Sequence, residues 1–280
     1  MRKLFLPFFI FSFFEVKAQE TVLFKIKYLP EHKYTSSMDI NNHTEMNIEA
    51  DKETLEKIKS KGVQLPLIIT AKTSMGYEIQ TGPLDGNKSF PVTISYTGIN
   101  SAQTMNGKET TSPPSPLLNL RIYAHCDKDN KMQLDSMPGK NLNDTLRTLI
   151  GSMIKNIQNQ IKFPEQPLKI GDSFTQDLPM SFPVAGNNIQ MVIKMIYKLS
   201  EIKNRIAYFD LIETAEVKLT IKGNNLDMIG QGDGKLIFDI AQSFAPSITS
   251  NLKCNYTMNM EKLLMKGSAA ISSIHKTVIN

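Results

Sequence analysis

Apolar residues recur at every second position along most of this chain, and at steps of three and four in one long stretch. The alternating runs are Val22–Tyr28, Tyr34–Ile40, Met46–Ala50, Val63–Ala71, Met75–Ile79, Phe90–Tyr96 and Leu120–Cys126. After the middle of the chain come Ile189–Leu199, Ala207–Leu211, Ala215–Ile221, Leu236–Ile240, Leu252–Met260 and Ala269–Val278. A period of two sends successive side chains to opposite faces, so each run predicts a strand with one buried face. The exception lies between Leu142 and Ile161. There Leu142, Leu146, Leu149, Ile150, Met153, Ile154, Ile157 and Ile161 share one face of a 3.6-residue helix. Asn141 or Asn143 can cap its start, and Pro164 ends it by excluding the α region from the residue before it. A second segment, Asp51–Lys61, has only Leu55 and Ile58 as anchors and Gly62 as a stop. It predicts a short surface helix.

A wide apolar helix face must be buried, and the rest of the chain reads as strands. The pattern therefore predicts an α+β, mostly antiparallel β protein. Its architecture is a long curved sheet or half-open barrel packed on the helix at Leu142–Ile161. Similar turns in the two parts suggest two related β-rich halves, residues 19–162 ending in the helix and residues 163–280. Asp85-Gly86 predicts a turn. Ser101–Pro116, with Asn106-Gly107 and three prolines, predicts a loop, and Gly230–Gly234 a glycine-rich turn or bulge.

The first eighteen residues change the picture. Arg2 and Lys3 precede an apolar run from Leu4 to Phe14, and Val16-Lys17-Ala18 follows. This is the layout of a signal peptide, cleaved near Ala18, and it predicts a secreted or periplasmic protein. No later apolar run approaches the length of about twenty residues that a spanning helix needs, so no integral membrane segment is expected. The formal charge of +5 comes from scattered lysines and gives no basis for nucleic-acid binding. Cys126 and Cys254 both fall on the inward phase of their strands, as candidates for a disulfide or as two buried thiols. Unpaired thiols are the favoured reading, because alternation gives direction and not proximity.

Candidate chemistry is sparse. His32, His43, His125 and His275 are isolated, and no metal-ligand spacing or nucleophile elbow is present. No catalytic residue, cofactor or metal is expected, and the chain is not read as an enzyme. Inward methionines are numerous for a core without tryptophan, and flexible methionines suit varied apolar partners. Met153, Ile157, Met191, Met195, Met258 and Met260 are therefore the candidates to line a ligand groove between sheet and helix. The competing reading is that methionine only fills an aromatic-poor core.

The run from Pro164 to Phe174, Pro-Glu-Gln-Pro-Leu-Lys-Ile-Gly-Asp-Ser-Phe, with the strand-rich stretch Ile189–Ile221, resembles an exported bacterial family known as a domain of unknown function. That family usually carries tryptophan at the place of Phe174, and the resemblance implies no activity. At the level of architecture the pattern also resembles the half-open barrel of periplasmic lipoprotein carriers. The leading expectation is an exported non-catalytic protein binding a hydrophobic small molecule. The alternative is a structural or interaction component of the cell envelope, meeting an envelope protein.

Overall fold

The computed structural model describes residues 20–111, 115, 117–118, 120–136, 150–151, 161–184, 187–221, 224–260 and 263–280. The first half contributes β1 (Thr21–Val22), β2 (Lys33–Ala50), α1 (Lys52–Ser60), β3 (Leu67–Thr81), β4 (Phe90–Met105), β5 (Lys108–Thr111), β6 (Arg121–Cys126) and β7 (Met132–Ser136). The second contributes β8 (Leu168–Lys169), β9 (Ser173–Val184), β10 (Asn187–Lys203), β11 (Ile206–Ile221), β12 (Asn224–Asp239), β13 (Phe244–Met260) and β14 (Leu263–Ile279). Apart from a small β1–β8 pair, the strands form one antiparallel sheet in the order β7-β6-β4-β3-β2-β14-β13-β12-β11-β10-β9, with β5 on the far end of β4. The sheet is not closed into a barrel. Its outermost strands, β7 and β9, each pair on one side only among the described residues.

Each half is a meander, in which neighbours in sequence are neighbours in the sheet. The halves join where the last strand returns to β2, in an unbroken register from Leu263↔Ala50 to Ile279↔Tyr34. Alternation places one set of side chains inward along every long strand, and those sets form two hydrophobic clusters. The first is built on β10–β13, with Tyr197, Leu199, Phe209, Leu211, Leu236 and Phe238 at its centre. The second is built on β2, β3, β4, β6 and β7, with Tyr34, Ile79, Val92, Ile94 and Ile122.

Two stretches of chain pass from one cluster to the other. Phe24 packs edge-on against Phe209 and Phe238 in the first, with ring centroids 5.1 and 5.2 Å away. Four residues on, Tyr28 meets Tyr34 and Phe244 in the second. Between them the Lys27 amide donates to the Ser243 carbonyl at 2.9 Å. The run Val22–Tyr28 thus alternates in burial as expected, but only Thr21–Val22 belongs to a strand. Its inward side chains are claimed by two cores rather than by one sheet. Farther along, Ile150 and Gly151 are helical and Ile150 is fully buried in the second cluster, whereas Ile161 is buried in the first. The remainder of the expected helix, residues 141–149 and 152–160, lies outside the described residues.

Helix α1 matches its reading. Asp51 caps it by accepting from the Thr54 amide at 2.8 Å, none of its residues is buried, and the chain leaves through Gly62 at φ +81°. Three expectations are corrected. Residues 101–111 are not a loop: Asn106 and Gly107, both at positive φ, turn β4 back into β5. Such a pair matches the twist of a two-residue hairpin, so the signal was present but was outweighed by the polar composition. Gly230–Gly234 is neither turn nor bulge and lies in the middle of β12. Strand β7 was not anticipated, because only Met132 among its residues is buried.

The Pro164–Phe174 run has a structural explanation. Leu168 is buried, Gly171 sits at φ +97°, and its amide donates to the Leu199 carbonyl at 2.8 Å. The Asp172 carboxylate accepts from the Lys169 amide at 3.0 Å. Phe174 then stacks on Tyr197 at 4.7 Å, with the rings 3° from parallel. Those residues launch β9 in register against β10.

Candidate functional site

The site begins with the three glycines in β12. Gly230, Gly232 and Gly234 occupy its inward face, in phase with the buried Met228 and Leu236. A Cβ at Gly232 would stand 2.5 Å from the Asn251 carbonyl oxygen, and one at Gly230 would stand 2.7 Å from Cys254 Sγ. A Cβ at Gly234 would collide with the Thr249 carbonyl. β11 and β13, which flank β12 and do not pair with each other, approach to within 8 Å between Cα atoms. Two flat strand spacings would keep them about 9.5 Å apart. The sheet therefore bends sharply at β12, and glycine is what lets the backbones close in.

Glu213 on β11 is registered opposite Gly232 and faces the same way. Its side chain lies over the glycine stripe, 3% exposed, and its Oε1 is buried without a hydrogen-bond partner. Across the bend, the Ser250 hydroxyl on β13 hydrogen-bonds the carboxyl. Burial holds this carboxyl above the usual range; the Ser250 bond pulls it back and Asp233 adds to the rise. Burial of this kind disfavours the charged form of the carboxyl.

The same inward row continues past the bend. Gly232 is opposite Leu252, Leu252 opposite Ile271, Ile271 opposite Asn42, and Asn42 opposite Ala71. Leu252, Ile271, Asn42 and Ala71, with flanking residues that include His43, Lys72 and Lys253, line an open hollow of about 320 Å³ on β13, β14, β2 and β3. Leu252 is buried; the other three are only half-buried. The hollow lies on the stretch of sheet between the two clusters.

Farther along the same face the junction of the halves holds a closed polar network. Tyr77 Oη and His275 Nε2 share a hydrogen bond of 2.9 Å, and Ser36 Oγ meets Thr277 Oγ1 at 2.8 Å. Ser36 also hydrogen-bonds Tyr77. Burial raises the Tyr77 phenol and lowers the His275 imidazole. This network is satisfied internally and braces the junction.

No family model matches the chain, and no curated protein is similar to it. No helix among the described residues is long and apolar enough to cross a membrane. No group of three or more metal-ligating side chains comes together among them either.

Of the residues singled out from sequence, Met195 and Met258 are buried in the first cluster and Met260 packs against it. Met191 lies in β10, registered opposite Met180. Met153 and Ile157 lie outside the described residues. Met195, Met258 and Met260 thus gather in one core, and none of them lines the hollow. Cys126 and Cys254 are free, buried thiols, one in each cluster. Glu213 is not singled out from the sequence and His275 is named only as an isolated histidine, although the sequence carries a signal for both. Each is an ionisable residue on the inward phase of its strand, where alternation expects an apolar one.

Proposed function

We propose that this chain is an exported, non-catalytic binding protein that holds a hydrophobic small molecule against the inward face of its sheet. The observation that carries this reading is the open hollow at Leu252, Ile271, Asn42 and Ala71, lying between the two hydrophobic clusters. Its volume of about 320 Å³ is at the small end of the range for ligand pockets, roughly 300–1,000 Å³. In this reading the sheet is a half-open barrel, and the segment Leu142–Ile161 packs over it as an amphipathic helix. Ile150 and Ile161, buried in opposite clusters, support that placement. Residues 1–18 serve as the cleaved signal peptide, and the chain belongs with the exported family that its Pro164–Phe174 run resembles.

The test is native mass spectrometry of protein secreted and purified without detergent, with diphenylhexatriene fluorescence as a second readout. Bound lipid-like mass, or saturable uptake of the dye, is expected. A chain at bare mass that leaves the dye dark would end this reading.

A further inference from the structure

We propose that Pro179 and Pro183 guard the long open edge of the sheet, keeping β9 from pairing with the β9 strand of a second copy of this chain. The proposal stands apart from the ligand reading and concerns the edge of the sheet rather than its face.

Strand β9 runs for 12 residues and pairs only with β10 among the described residues. At the opposite end of the sheet, β7 has 5 residues and meets β6 with a register shift between Tyr123 and Ala124. A short, bulged edge is a poor template for another strand, and a long regular one is a good template. From Ser173↔Lys198 to Val184↔Asn187 the pairing of β9 with β10 is unbroken. Val192, registered opposite Pro179, is exposed beside this edge and would add apolar contact to a strand laid there.

Which backbone groups the edge offers follows from the start of β9. The Gly171 amide donates to the Leu199 carbonyl at 2.8 Å, and the Leu199 amide donates to the Asp172 carbonyl at 2.9 Å. Asp172 thus turns its carbonyl to β10. Antiparallel pairs alternate between bonded and non-bonded partners, so the even-numbered residues from Phe174 to Phe182 also bond β10. Ser173, Thr175, Asp177, Pro179, Ser181 and Pro183 turn their backbone groups to the open side. Both prolines fall in this second set. There a missing N–H takes no bond from β10 and denies one to an incoming strand. Beyond Asp177 only Ser181 is left to donate. A second copy is the partner to exclude first, because two β9 strands related by a two-fold axis would pair antiparallel and so continue the sheet.

The experiment uses the full mature chain and compares wild type with Pro179→Thr/Pro183→Thr, by light scattering on a sizing column and by residue-resolved amide exchange. Wild type should elute as a monomer, with the Thr175, Asp177 and Ser181 amides exchanging freely and those of Gln176 and Leu178 protected. The double variant should dimerise as its concentration is raised. In the dimer the Thr175, Asp177 and Ser181 amides should slow by about ten-fold or more. A double variant that stays monomeric overturns the proposal, and so does a dimer in which those three amides still exchange freely. Protection of the same amides in wild type also overturns it, since the edge would then not be open. Should the double variant not fold, Pro179→Thr alone is read by the same outcomes, because it restores a donor between Asp177 and Ser181.

Discussion

Tyr77 on β3 and His275 on β14 meet above β2, Oη to Nε2 at 2.9 Å, with their rings only 10° from parallel. Neither strand pairs with the other; each pairs with β2. The contact therefore ties together three strands at the place where the two halves of the sheet join. Ser36 and Thr277 extend it, so that four polar side chains close on one another inside an otherwise apolar face. Such a network fixes the register of the junction, since a slip of one residue in any of the three strands would turn that strand's members outward and break the contacts.

The pH dependence of stability follows from His275. Burial lowers its pKa from the ordinary 6.5, so it stays neutral in the folded chain after the unfolded chain has begun to take up a proton. Below about pH 6.5 the unfolded state binds more protons, and stability must fall as the pH falls through this window. Urea midpoints of wild type and His275→Gln should therefore diverge between pH 7 and pH 5, with wild type losing more. Tyr77→Phe should cost about 1–3 kcal/mol at neutral pH by removing the hydrogen bonds to His275 and Ser36. Parallel curves for wild type and His275→Gln would show that the imidazole is not buried as described.

The glycine stripe makes a steric prediction. Alanine at Gly234 would drive its Cβ into the Thr249 carbonyl, a backbone atom that cannot swing aside. Overpacking of this kind costs about 1–3 kcal/mol, so Gly234→Ala should melt well below wild type. Gly98, on β4, has nothing within 4 Å of its built Cβ, and Gly98→Ala serves as the control with little effect. Similar melting temperatures for the two variants would mean that the sheet does not bend at β12.

Much of the fold was legible because a period of two is preserved wherever one face is buried. The joins between strands were less so. Tyr34–Ile40 and Met46–Ala50 are one strand, β2; the inward positions between them, Asn42 and Thr44, are half-buried and polar and break the apolar rhythm. The same inward polarity marks the hollow, so the feature that obscured the strand is the one that points to the site. Gly230–Gly234 was read as a turn because glycine is usually a turn residue. Here its missing Cβ serves close approach of strands, which only the partner strand reveals. Glu213 was legible as a charged residue in an apolar phase. Its unpaired oxygen was not, since that depends on a sheet bend the sequence does not state.

The cysteines give the last prediction. Cys126 lies on β6 and Cys254 on β13, with β4, β3, β2 and β14 between them in the sheet. Five strand spacings amount to about 24 Å along the sheet. A disulfide needs Cα atoms within about 7 Å. The two side chains also belong to different clusters, so curvature of the sheet does not bring them together. Burial pushes the Cys126 thiol up to about 12, with Asp127 adding to it, and burial followed by Glu213 raises Cys254. A thiol held in its protonated form reacts slowly. The native protein at pH 8 should therefore resist a maleimide reagent. Once unfolded in denaturant without reductant, it should take up two labels by mass. An unfolded, non-reduced monomer that takes up none would place the cysteines in contact and require the two halves to share one core.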